Sequence, residues 1–255
     1  MRLLYTSAAI GAATAAAIVY LFRRRRRAQQ LDAKGFLVVR SAASSDQVAS
    51  IRAAITEAEA HAEAGGYLIW TPAEALPAAC HSWAVTSAAA VLQRSLPPGT
   101  PPVRLLGGAA LWKRTGIDKP TPFHQDFAYA ESREPGSVAS RTTRHAAVWL
   151  ALTPTGPNSG CMRFAPSMGF ELFPHRTLPR DEAPSGFETH MVGECVSQAD
   201  GAAQDCVLEP GMAVIIGDQV VHGSRGCAPG EGVRIAFSPL FEVDCAGSPL
   251  PAGLH

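Results

Sequence analysis

Leu208–Ser224 reads LEPGMAVIIGDQVVHGS, and after a short polar turn the chain resumes as VRIAFSPLF over Val233–Phe241. Both runs are apolar, rich in β-branched and aromatic residues, and closed off by Pro-Gly, Gly-Asp or Gly-Ser pairs, the pattern of core strands between tight turns. The same texture extends back to Val103, with apolar runs at Val103–Leu106, Ala109–Trp112 and Ala146–Leu152 separated by Gly, Pro, Asp and Ser. Several short strands with frequent turn signals predict a mainly β fold, a sandwich or jelly roll, with helices packed outside it.

Upstream of Val103 the pattern is helical. Gly35–Val39 is a short β-run, and Ser44-Ser45-Asp46 supplies capping residues for a helix whose apolar face carries Val48, Ile51 and Ile55 and which is expected to run to about Glu63. A second helix is predicted around Ser82–Arg94, ahead of a loop containing Pro97, Pro98, Pro101 and Pro102. Residues 129–144 and 171–205 read as polar or irregular insertions.

The chain has 255 residues, 47% hydrophobic and 17% charged, enough for one globular domain with a substantial core. Lys+Arg and Asp+Glu both number 22, so no overall basic field favours nucleic acid. Leu3–Phe22 is an uncharged run followed by five arginines, Arg23–Arg27. Its length suits a membrane-spanning helix, and the arginines orient it with the rest of the chain in the cytosol. The expected organisation is therefore an anchor and basic linker over 1–34 and one globular domain over 35–255, attached to a membrane through residues 3–22. Six cysteines without a C-x-x-C pair read as free, mostly buried thiols.

Chemistry concentrates in TPFHQDFAYAE, residues 121–131. Alternate residues of a strand share a face, so His124 and Asp126 can reach one ion while Gln125 points away. A facial iron site needs a second imidazole. His222, at the end of the strand that opened this section, is the candidate. Arg234 alternates with Val233 and Ile235 and so points to the other face of its strand with Ala236 and Ser238. A guanidinium inside a core strand is costly unless an anion meets it.

His124-x-Asp126, His222-Gly-Ser224 and Arg234 together resemble the phytanoyl-CoA dioxygenase family of Fe(II)/2-oxoglutarate oxygenases. GFLVVRSAASSDQVASIRAAI (35–55) is similar to the family's opening strand and helix, AAVWLALTPTGPNSGCMRFAPSMG (146–169) to its strand and turn that normally read W-x-A-L…N-G-C-L…P-G-S-H, and LEPGMAVIIGDQVVHGS (208–224) to the strand leading to its second histidine. The resemblance covers about Gly35 to Phe241. It implies a double-stranded β-helix core with flanking helices, and Fe(II) held by His124, Asp126 and His222 as the catalytic triad. It also implies 2-oxoglutarate bound through Arg234 with help from Ser224 and with Trp149 lining its pocket. O₂ would be consumed, a C–H bond of a small-molecule, acyl or lipid-like substrate hydroxylated, and succinate and CO₂ released. Halogenating relatives lack the carboxylate, so Asp126 favours hydroxylation. Ser167-Met168-Gly169 and Asn158-Ser159-Gly160 depart from the family's usual turns and leave the substrate open. Phe127, Tyr129, Trp112, Lys113 and Arg163 are candidates for the substrate mouth, with packing or surface the commoner role for each. The alternatives are a non-catalytic metal-binding protein of the same fold and a cupin-type metalloenzyme that does not use 2-oxoglutarate.

Overall fold

The structure, a computed structural model, describes residues 22, 25–31, 33–60, 68–114, 120–129, 143–179, 182–183 and 188–244. Twelve strands are described: β1 (Phe36–Val39), β2 (Leu68–Pro72), β3 (Arg104–Lys113), β4 (Thr121–His124), β5 (Thr143–Ala151), β6 (Met162–Phe164), β7 (His175–Thr177), β8 (Thr189–Met191), β9 (Gln204–Cys206), β10 (Ala213–Gly217), β11 (His222–Ser224) and β12 (Arg234–Asp244). The helices are α1 (Ser45–Ala60), α2 (Ala78–Trp83), which continues through a π-turn over Ala84–Ala88 into α3 (Ala89–Gln93), and α4 (Glu194–Ala202). A six-stranded sheet in the order β1-β10-β5-β12-β3-β2 faces a four-stranded sheet ordered β4-β11-β6-β9, and β7 pairs with β8 apart from both. This is the expected mainly β, jelly-roll architecture with flanking helices.

Strand alternation divides the interior. On β5, Ala146, Val148 and Leu150 pack towards the helices, in one cluster with Ile51, Ile55, Trp83 and Leu92. Ala147, Trp149 and Ala151 face the other way, into the layer between the sheets with Met162, Phe164, Val214 and Ala236. Because helices cover the outer face of the large sheet, its strands carry apolar residues at consecutive positions and lose the polar alternation of a one-sided sheet.

Three expectations are corrected. The predicted break between strands at Leu106 and Ala109 does not occur, because β3 runs through Gly107-Gly108. The glycines mark close approach and not a turn. A β-carbon at Gly107 would lie 2.5 Å from the Thr71 carbonyl oxygen, and one at Gly108 would lie 2.7 Å from the Phe237 ring. The insertion 171–205 is partly regular, containing β7, β8, α4 and the start of β9. Helix α4 carries no capping side chain, its N-cap being Gly193 at φ 78°, and the sequence gives little notice of it. Finally, the membrane-spanning helix expected over residues 3–22 has no support. Among the described residues no helix is long and apolar enough to cross a membrane. Of that stretch only Phe22 is described. Alanine dominates the run, and a single methyl contributes little transfer free energy. The orientation inferred from Arg23–Arg27 loses its basis with it, and residues 25–31 of the expected linker are helical, with Leu31 buried. Most of the 129–144 insertion (130–142), residues 61–63 of the first helix and Cys245 lie outside the described residues; the five described cysteines are buried.

Phe237, on β12, meets Trp83 edge-on at 6.1 Å between centroids and lies against Gly108. Phe237→Ala is expected to cost about 3–5 kcal/mol in urea denaturation; a loss below about 1 kcal/mol would contradict this packing.

Candidate metal centre and cosubstrate pocket

β4 and β11 come from distant parts of the chain and pair antiparallel with His124 directly opposite His222. Opposed residues share a face, so the two imidazoles become neighbours, with centroids 4.3 Å apart and planes at 52°. The strand ends at His124. Asp126 lies in the following turn, where Ala128 N–H donates to the Gln125 carbonyl and Tyr129 N–H to that of Asp126. The pairing of His124 with Asp126 is therefore made by a turn and not by strand alternation. Asp126 Oδ1 is 3.6 Å from His124 Nε2 and 3.6 Å from His222 Nε2, and one donor atom from each residue lies within 4.8 Å of the others.

Both imidazoles are fixed in the form a metal requires. His124 Nδ1 is 2.9 Å from the Pro122 carbonyl and His222 Nδ1 is 2.9 Å from the Val220 carbonyl. A carbonyl only accepts, so each Nδ1 carries a proton and Nε2 is the nitrogen turned towards Asp126, the one left to bind a metal. Burial, reinforced by the neighbouring His222, pushes the His124 imidazole well below its ordinary value and keeps it neutral. The histidines are buried while the Asp126 side chain keeps 31% of its exposure, so the triad is open on the carboxylate side.

Beyond the triad lies a second polar group. Arg234, 2% exposed, pairs across the sheet with Lys113, which is fully buried. Lys113 Nζ donates to the Arg225 carbonyl at 2.8 Å, and the Arg234 guanidinium carbon lies 5.3 Å from the centre of the Trp149 ring. The two side chains converge at Gly160: a β-carbon there would lie 3.1 Å from Lys113 Cδ and 3.6 Å from Arg234 Nε. Gly160 also has φ 71°, so the turn that departs from the usual family form is built to leave room for both cations. Ser224 Oγ donates to Thr121 Oγ1 at 2.7 Å, and both hydroxyls are buried. The Trp149 indole N–H is buried with no hydrogen-bond partner.

The structure thus brings His124, Asp126 and His222 together and sets Arg234 over Trp149. Among the candidates for the mouth, Tyr129 lies edge-on to His124 and Phe127 is buried beside the triad turn. Trp112 belongs to the helix-side core, and Arg163 lies over Phe123 and pairs with Asp200. Packing and surface pairing are the roles expected as commoner for these candidates. Lys113 is misplaced by the sequence reading, since it stands beside Arg234. The parity that turns Arg234 inward applies equally to Lys113, two residues after the inward Leu111.

Asp218, in the turn before β11, adds a buried carboxyl. Its Oδ2 accepts from His145 N–H at 3.1 Å and its Oδ1 has no hydrogen-bond partner. Burial pushes it up from 3.8 to about 7, with Asp126 adding to the rise and the His145 amide and Arg144 opposing it.

Oxygenases that spend 2-oxoglutarate at non-haem iron need both halves of this arrangement, a two-histidine, one-carboxylate face with open positions and a cationic seat for the far end of a dicarboxylate. The family model for phytanoyl-CoA dioxygenase (PhyH) matches residues 31–228, most of the chain, and the chain belongs to that family. It is a 2-oxoglutarate-dependent oxygenase acting on a small molecule. Solved structures share the fold. EvdO2 from Micromonospora carbonacea var. aurantiaca is 20% identical with a TM-score of 0.61, over 89% of this chain and 94% of that one. The epimerase SnoN from nogalamycin biosynthesis, solved with Fe3+, alpha ketoglutarate and nogalamycin RO, is 21% identical with a TM-score of 0.63, over 91% and 87%. EctD from S. alaskensis, solved with bound Fe, is 16% identical with a TM-score of 0.63, over 89% and 79%. A comparison with curated proteins finds no match.

The raised Asp218 carboxyl makes a pH prediction. The folded protein keeps this proton where the unfolded chain has released it, so its contribution to stability falls as pH climbs from 3.8 towards about 7 and levels off above. Asp218→Asn removes the penalty. Its stability relative to wild type, measured by urea denaturation, should rise between pH 5 and pH 8; a pH-independent difference would contradict the assignment.

Proposed function

We propose that His124, Asp126 and His222 hold Fe(II), that Arg234 and Lys113 receive the distal carboxylate of 2-oxoglutarate, and that the reaction hydroxylates a C–H bond of a small molecule. The observation that carries this reading is that one interior holds both a complete triad of metal donors and a pair of buried cations converging on Gly160. A metal-binding protein without catalysis, or a cupin-type enzyme without 2-oxoglutarate, has no use for the second feature, whereas a guanidinium and an ammonium brought to one point suit a carboxylate.

The residues fit both groups. Two neutral imidazoles and one carboxylate give iron a single compensating protein charge and leave one side for cosubstrate and O₂. When bound, the iron and 2-oxoglutarate supply the oxidation, with O₂ consumed and succinate and CO₂ released. The chain supplies placement. The Pro122 and Val220 carbonyls hold the imidazole protons away from the metal face. Trp149 supports the guanidinium from below, and the Arg225 carbonyl fixes the ammonium of Lys113. Ser224 and Thr121 offer hydroxyls that can turn to a carboxylate oxygen, and the unpartnered Trp149 N–H is a further donor in the same layer. The buried surroundings exclude water and strengthen each of these contacts.

The substrate is read as a small molecule without further definition, because the lipid-like preference leaned on the unsupported membrane segment. An epimerase shares this fold, so the outcome at carbon must be read from the product.

Purified protein with Fe(II) and O₂ is expected to convert 2-oxoglutarate to succinate slowly without added substrate, and chelation of the metal should stop it. Arg234→Ala should raise KM for 2-oxoglutarate roughly 10- to 100-fold, the range for loss of a charge-assisted hydrogen-bonded pair, while still binding one metal ion. Lys113→Met should give a smaller rise. Succinate formation indifferent to Arg234→Ala would overturn the assignment.

A further inference from the structure

Gln125 stands between two of the proposed iron ligands and points away from them. It is fully buried. An amide side chain has two N–H donors and one carbonyl acceptor, and all are used. Nε2 donates to the Gln219 carbonyl at 2.7 Å and to the Glu171 carbonyl at 2.8 Å, while Oε1 accepts from Phe173 N–H at 3.1 Å. The Gln125 backbone N–H donates to His175 Nε2 at 3.3 Å, and His175 Nδ1 in turn donates to the Phe173 carbonyl at 2.6 Å. One residue therefore makes three hydrogen bonds to the segment 171–175.

The Gln219 bond has a second consequence. Phe127 N–H donates to the Asp218 carbonyl at 2.9 Å, so the residues on both sides of Asp126 grip the 218–219 turn. That turn leads directly into His222. The position of His222 relative to His124 and Asp126 is thus set by the β4–β11 pairing and by this clamp together. Segment 171–175 carries no proposed metal ligand, and Leu172 within it is 47% exposed. Its described hydrogen bonds to the ligand strand all pass through residue 125.

We propose that Gln125 is a positioning residue for the metal triad, and that through it metal binding and the order of segment 171–175 are coupled. The inference rests on the iron assignment above. By linkage, a group that holds the three donors together in the metal-binding arrangement raises metal affinity, and the bound metal in turn steadies what that group holds. Partners one step removed from a metal affect affinity by about 10- to 100-fold.

Co(II) is the probe, titrated anaerobically and followed by visible absorption, with circular dichroism confirming that each variant is folded. Wild type should bind one Co(II) and His124→Ala should lose it. Gln125→Met, of similar length but without hydrogen bonds, and Gln125→Glu, which sets carboxylate oxygens against two carbonyls, should each weaken binding about 10- to 100-fold in the folded protein. Amide hydrogen exchange in wild type should slow across 171–175 when Co(II) is added, and should not respond in His124→Ala. This second measurement decides the matter if the variants do not fold. A residue with only a structural role would lower the melting temperature and leave the Co(II) affinity of the folded protein unchanged. Affinity within about twofold of wild type in both folded variants, or exchange in 171–175 indifferent to Co(II), would overturn the proposal. Wild-type protein that binds no Co(II) through His124 would overturn the iron assignment itself, and this proposal with it.

Discussion

The register of two short strands is the constraint on which the site depends. With His124 opposite His222, two imidazoles separated by almost a hundred residues share one face of the smaller sheet. A shift of one residue would turn one of them to the opposite face. Little in β11 itself resists such a slip, since it has three residues and its register with β4 is irregular between His222 and Ser224. The alignment is held from outside the strand, by its pairing with β6 and by the bonds from Gln125 and Phe127 to the preceding turn.

Electrostatics shows the cost of preparing such a site. Lys113 and Arg234 are buried side by side, and Asp218 is buried close enough to Asp126 to have its proton held more tightly. Taking such groups out of water is costly, and the contacts made around them must offset it. A dicarboxylate seated on both would meet a guanidinium and an ammonium already held in place. The large core between the six-stranded sheet and helices α1 to α3 supplies rigidity, and the chemistry lies on the other side of that sheet.

Much of this was legible in the sequence, and the reasons are local. Period-two alternation around Arg234 shows its inward direction without knowledge of any partner. The spacing of His124 and Asp126 signals a shared ligand face, although a turn delivers it. Lys113 obeyed the same parity and could have been read in the same way. Other features depended on contacts distant in sequence. Gly107-Gly108 looks like a turn until the Thr71 backbone and the Phe237 ring are seen against it. The hydrogen bonds of Gln125 join segments about 46 and 94 residues away, and nothing in its neighbours announces them. The alanine-rich run at 3–22 shows the opposite failure, in which length and lack of charge suggested a membrane span that no described helix supports.

An anaerobic crystal structure with Fe(II) and 2-oxoglutarate tests the central claim most directly. One iron bound by His124 Nε2, Asp126 and His222 Nε2, with the distal carboxylate of 2-oxoglutarate on Arg234 and Lys113, is the result expected. Iron held elsewhere, or a carboxylate seated away from both cations, would contradict it.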